Sequence, residues 1–159
     1  MEHDKSLQSL LDKSSIADVI HAYCLHFDRA EAEAVVALFT DDAVVDYGPD
    51  VPTMKGLDEI KPMIAKGLAD LFAATSHHIS NINIQFKGPE RATSICYLYA
   101  WHRYLHGERD SELWGQYHHE FRRTDNGWKI AKLVLCAAGM DGFHRETMHP
   151  IGRRQGSNP

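Results

Sequence analysis

The sequence predicts an α+β fold, with N-terminal helices packed on an antiparallel sheet, on three observations. Apolar residues recur at helical spacing as far as about Thr75, and from His77 onward the period changes to two. Turn signals at Lys87-Gly88-Pro89 and at Thr124-Asp125-Asn126-Gly127 then divide the second half into strands. The first helix is read from Ser14-Ser15 to about Arg29, with Ile16, Val19, Ile20, Tyr23, Cys24 and Phe27 on one side. Ser15 followed three residues later by Asp18 is a capping pair that marks its start. A second, short helix lies in AEAEAVVALFT, where Val35, Val36, Leu38 and Phe39 pack, and Thr40-Asp41-Asp42 breaks it. The run AVVDYG is a short strand, and Gly48, Pro49 and Pro52 make the loop after it. The third helix spans GLDEIKPMIAKGLADLFAAT, with Ile60, Ile64, Leu68 and Leu71 inward and Pro62 in or near its first turn.

The strands carry two faces each. In HHISNINIQF, one face takes His77, Ile79, Asn81, Asn83 and Gln85, and the other His78, Ser80, Ile82, Ile84 and Phe86. In TSICYLYAWHRY, Cys96, Leu98, Ala100, His102 and Tyr104 share one face, and Ile95, Tyr97, Tyr99 and Trp101 the other. Both faces hold apolar side chains, which predicts a sheet covered by helices on one side and by a second subunit on the other. A homo-oligomer, dimer or trimer, is therefore expected. Residues 1–142 form one domain, and residues 143–159 form a tail that is either flexible or pocket-covering through Phe143 and Met148.

Composition narrows the function. At 159 residues the chain holds one core with room for a pocket, and 43% hydrophobic with 25% charged residues is globular usage. A formal net charge of -5 without a basic stripe argues against nucleic-acid binding. The charged N-terminus and the lack of any long apolar run predict no membrane association and a cytoplasmic protein. Cys24, Cys96 and Cys136, odd in number and set among apolar residues, read as reduced core thiols. The adjacent pairs His77-His78 and His118-His119 point to opposite strand faces, so neither is a chelate and no metal is expected. No GxGxxG, P-loop or GxSxG pattern is present, and no cofactor is expected.

Asp28 carries the chemistry. It extends the row Ile20, Cys24, Asp28 at four-residue steps, so its carboxylate lies where an apolar side chain belongs and needs a partner. His77-His78 and His102 are the apt ones, because a carboxylate that orients an imidazole makes a general base without a cofactor. A register slip of one residue exchanges His77 for His78, and the pattern alone leaves both open.

Helices followed by a meander ending in GWKIAKLVL resemble the NTF2-like superfamily, a cone of helices on a curved antiparallel sheet, and in particular its SnoaL-like branch. The resemblance covers about Leu7 to Cys136, and its most specific pieces are similar to the scytalone dehydratases and dehydrochlorinases. It implies an Asp-His dyad of Asp28, in HFDRAEAEAVVALFTDDAVVDY, with His77, in TSHHISN. It also implies a second catalytic histidine at His102, in AWHRY, and a catalytic tyrosine at Tyr47, in VDYG. Phe27 stands where scytalone dehydratases hold a second tyrosine, while Gly115 and Tyr117 take the places of their Ser and Asn. Tyr23 and Cys24 occupy the region where dehydrochlorinases carry a cation. Phe27 and Tyr117 thus join the expected substrate-binding set, with Asn81 on the strand face of His77 and Tyr104 on that of His102.

These residues imply a cofactor-independent lyase of scytalone dehydratase type, removing water from a small aromatic or polyketide-like substrate after proton abstraction by the dyad. The same groups suit a retro-aldol C–C lyase acting on an aromatic diol, or a polyketide cyclase or isomerase. A noncatalytic small-ligand-binding module is the alternative of another class.

Overall fold

The structure, a computed structural model, describes residues 2–107 and 109–151. The element order is α1 (Glu2–Asp28), α2 (Ala32–Val36), β1 (Phe39–Asp46), β2 (Met54–Lys55), α3 (Leu57–Asp70), β3 (Phe72–Phe86), β4 (Arg91–Tyr104), β5 (Ser111–Thr124), β6 (Gly127–Asp141) and β7 (His149–Pro150). The helices pack on one face of a curved, unclosed sheet in the order β2-β1-β6-β5-β4-β3, with β7 added beside β6. The long strands β3 to β6 form the expected antiparallel meander, and β1 pairs parallel with β6, a long-range pairing that local pattern does not encode. The α+β expectation holds, and the sheet is mixed rather than wholly antiparallel.

Three boundaries move. The first helix begins at Glu2, more than two turns before Ser15, whose hydroxyl donates back to the Leu11 carbonyl instead of capping. The added turns are held by Asp12, a buried carboxylate bonded to Arg123 Nη2 at 2.5 Å, Trp128 Nε1 at 3.2 Å and Gln8 Nε2 at 3.1 Å. Phe39 and Thr40 belong to β1 rather than to α2, and Phe72 to Thr75 belong to β3 rather than to α3. Pro62 sits in the second turn of α3, where it forfeits one helix hydrogen bond.

The core lies between the helices and the concave face of the sheet. Ile16, Ile20 and Tyr23 of α1 meet Phe39, Cys96, Phe121, Ile130 and Leu133 there, all essentially inaccessible. Burying each large side chain contributes roughly 1.5–3 kcal/mol. Cys24, Cys96 and Cys136 are free and buried. On β4 the alternation is as expected: Cys96, Leu98, Ala100, His102 and Tyr104 point inward and Ile95 and Tyr97 outward.

On β3 the alternation breaks at Asn81. Its φ of 51° and a register shift between Ser80 and Asn83 mark a bulge, so His77 and Ile79 face inward before it, and Ile82, Ile84 and Phe86 after it. Asn81 is thereby turned out to the convex face, exposed beside Asn83 and Gln85 in an open groove. The expected placement of Asn81 on the inward face of His77 is corrected by that extra residue.

Gly115 lies at a second irregularity, between β5 and β6. A Cβ there would fall 2.4 Å from the Cys136 carbonyl oxygen, so only glycine permits this approach. After β6, Gly142 at φ +63° turns the chain back across the open end of the cone. Residues 143–151 cross that end: Asp50 accepts from the amides of Glu146 and Thr147 at 2.8 and 2.9 Å and from the Thr147 hydroxyl, and β7 pairs with β6. His149 Nε2 adds contacts of 2.9 Å to both oxygens of Asp46. This first part of the tail is a strap, and the remainder lies outside the described residues.

Candidate active site

A cavity at the open end of the cone is lined by residues from α1, β3, β4, β5, β6 and the strap. Its volume is about 50 Å³. Asp28, the last residue of α1, points at the start of β3, where the bend of the sheet brings three donors to it. His77 Nδ1 lies 2.6 Å from Oδ1, the Thr75 hydroxyl donates to the same oxygen at 2.8 Å, and the His77 backbone N–H donates to Oδ2 at 2.9 Å. Burial works to raise the pKa of Asp28, but the bonds from the His77 ring and amide and from Thr75 outweigh it, and the carboxyl stays below its ordinary range.

An ionised Asp28 accepts a hydrogen bond from the Nδ1–H of a neutral His77 ring, the tautomer that leaves Nε2 with a free lone pair. The His77 side chain is 5% exposed and lines the cavity. His78 points outward, its Nε2 3.0 Å from the Ser76 hydroxyl and its ring against Tyr99. The ambiguity between the two histidines is resolved for His77.

His102 stands beside it, the two rings edge to face at 5.5 Å. Phe72 and Phe143 flank His102 at 5.1 and 5.5 Å, and Nδ1 has no hydrogen-bond partner among the described residues. Burial, with His77, His144 and Arg145 nearby, pushes its pKa down to about 3, so the ring is neutral at ordinary pH. Phe27 packs edge-on to His77 at 5.2 Å and lines the cavity.

The facing wall holds phenols. The Tyr47 and Tyr23 hydroxyls are 2.6 Å apart, and Tyr117 packs edge-on to Tyr23 at 5.6 Å. Burial raises Tyr47 to about 12 and Tyr23 and Tyr117 well above the usual phenol value, so all three are hydrogen-bonding alcohols at neutral pH. Tyr23, one turn before Phe27, supplies the second phenol on this wall. The helical row that placed it in the core also concealed it.

Tyr104 stands one layer back, its hydroxyl 2.8 Å from Ser111 Oγ and 3.0 Å from His144 Nδ1, and its ring against Phe72. The structure therefore brings Asp28, His77, His102, Tyr47, Phe27 and Tyr117 together, puts Tyr104 behind them, and leaves Asn81 outside. Sequence reading missed Phe72, His144 and Arg145 as cavity residues, while Phe143, named there as a possible pocket cover, lies in the lining. The sole signal for His144 and Arg145 was their place in an FHR triplet immediately after Gly142. Among the described residues, no group of three or more His, Cys, Asp or Glu side chains is gathered to hold a metal ion.

The family model of the SnoaL-like domain matches residues 8–134. The chain belongs to the SnoaL-like family. A relative of known structure, a candidate scytalone dehydratase of Novosphingobium aromaticivorans DSM 12444, is 31% identical with a TM-score of 0.89, covering 94% of this chain and 99% of that one. Hexachlorocyclohexane dehydrochlorinase 1 of Sphingobium indicum is 21% identical over 130 residues, 82% of this chain and 84% of its own. The crystal structure of a type 2 hexachlorocyclohexane dehydrochlorinase matches with a TM-score of 0.79 at 20% identity, over 93% of this chain and 99% of that one, which is a likeness of fold. No helix among the described residues is long and apolar enough to cross a membrane.

Proposed function

We propose that this SnoaL-like protein is a cofactor-independent lyase of dehydratase type that removes water from a small aromatic or polyketide-like substrate. The observation that carries the reading is the 2.6 Å contact between Asp28 and His77 at the wall of an apolar cavity. The names of the relatives, a candidate dehydratase and a dehydrochlorinase, support elimination as the reaction type.

His77 Nε2 takes a proton from a carbon acidified by a neighbouring carbonyl or aromatic ring, and Asp28 stabilises the imidazolium that forms. Charge developing on the carbonyl oxygen is met by the hydroxyl pair of Tyr47 and Tyr23. The C–O bond to the β-hydroxyl then breaks, the carbon–carbon double bond forms, and the proton on His77 leaves with the hydroxyl as water. His102, held neutral, orients the leaving oxygen by hydrogen bonding instead of protonating it. Three buried free thiols support a cytoplasmic setting, and the convex sheet face, where Ile95, Tyr97 and Trp114 are 41%, 51% and 44% exposed, supports a dimer or trimer.

Turnover of the wild type, Asp28→Asn and His77→Ala across vicinal diols and β-hydroxy carbonyl aromatics tests the reading. Each substitution is expected to lower kcat/KM by roughly 10²–10⁴-fold on any substrate that is turned over. Unchanged turnover in both variants would remove the dyad from the mechanism.

A further inference from the structure

Among the described residues, Arg145 makes no ion pair. It arrives on the strap, lines the cavity, and lies over the rings of Tyr47 and Phe143 at 5.6 and 5.7 Å. Its Nη1 donates to the Tyr47 carbonyl, which anchors the side chain. Nε is buried without a hydrogen-bond partner, and among the described residues Nη2 has none either. Asp50 attracts it from nearby but is engaged by Glu146 and Thr147 of the strap.

Among the described residues no Asp or Glu lines the cavity, since Asp28 sits behind His77. Of the histidines there, His77 is paired with Asp28, and His102 is held at about 3 and His144 at about 4, the latter by burial and by Arg145. Among the described residues the guanidinium is therefore the unpaired cation lining the cavity, and burying it unpaired is costly. Its Nε–Nη2 edge, unpaired among the described residues, is the planar fork that pairs with a carboxylate through two parallel hydrogen bonds. The cavity's 50 Å³ holds a group of that size, since a water needs about 10–15 Å³ of such space; a ring requires the Phe143-His144-Arg145 wall to give.

We infer that the substrate carries a carboxylate, which docks on the Nε–Nη2 edge of Arg145 while the reacting carbon faces His77. This rests on the reading of the cavity as the substrate site, and it makes the substrate a small aromatic acid. The carboxylate is a handle, distinct from the carbonyl that acidifies the reacting carbon.

The test is a binding measurement on the full chain, independent of turnover: calorimetric titration with benzoate, phenylacetate and trans-cinnamate, against benzamide, phenylacetamide and cinnamamide. The acids are expected to bind roughly ten- to a hundredfold more tightly than their amides, the worth of a hydrogen-bonded charge pair. Arg145→Gln is expected to abolish that preference, Arg145→Lys to keep part of it, and His77→Ala to leave it intact. Equal binding of the two series, no binding of either, or an undiminished preference in Arg145→Gln overturns the inference. Loss of turnover in His77→Ala with the acid preference retained separates it from the proton-abstraction reading.

Discussion

At the scale of single residues, Asp28 owes its behaviour to three donors that converge on two oxygens. A carboxylate half-sunk at the end of a helix would tend to pick up a proton, yet the ring and amide of His77 and the hydroxyl of Thr75 hold it ionised. Thr75→Val removes one of these bonds and keeps the shape of the side chain. It is expected to lower kcat/KM by about tenfold, less than Asp28→Asn, with the acidic limb of the pH–rate profile shifted to higher pH as Asp28 becomes easier to protonate. Tyr23→Phe, which strips a hydroxyl from the facing wall, should cost about tenfold in kcat, with substrate affinity little changed if the hydroxyl acts on developing charge. Gly115→Ala tests the close approach of backbones: with the added carbon 2.4 Å from the Cys136 carbonyl, a loss of about 1–3 kcal/mol in denaturant unfolding is expected.

At the scale of elements, α1 is fastened by two carboxylates, Asp12 near its middle to the β5–β6 hairpin and Asp28 at its C-terminus to β3. Asp12→Ala leaves Arg123 and Trp128 short of an acceptor. Because Arg123 is about a third exposed, the expected cost is discounted to about 1–3 kcal/mol, measured as a fall in urea midpoint without a change in slope. The strap is fastened by Asp50, and Asp50→Ala should speed amide hydrogen exchange at Glu146 and Thr147 while amides in β4 and β5 keep their protection. How much of this was legible in the sequence follows from range. The inward rows of α1 and β4 were visible because they obey local periods of 3.6 and two. Asn81 misled because a one-residue bulge reverses a period-two pattern without altering its composition. Asp12 escaped notice because its partners lie more than a hundred residues away, and Arg145 because the tail has no period from which to infer a direction.

At the scale of the whole molecule, acid should unfold the protein through its buried histidines. His102 and His119 are both held down to about 3 by burial, while an unfolded histidine titrates near 6.5. Between those values the unfolded chain binds more protons than the folded one, so stability is full above about 6.5 and falls steadily as pH drops toward about 3. Asp28, lowered in the fold, adds to the loss in the same direction at the acid end. Denaturant midpoints measured across that window should decline with acidification, and His102→Leu or His119→Leu should flatten the slope. The convex face makes a second prediction at this scale. Tyr97→Glu, on an outward-facing strand position, should shift the protein to monomers by analytical ultracentrifugation without loss of the fold.

The central claim is that Asp28 fixes His77 as a base whose lone pair opens on the cavity. Nitrogen-15 NMR of the histidine rings at neutral pH reads this without a substrate. His77 is expected to show a protonated Nδ1 and an unprotonated Nε2, with that preference lost in Asp28→Asn. A proton residing on Nε2 in the wild type, or a tautomer indifferent to the loss of the Asp28 charge, would contradict the account.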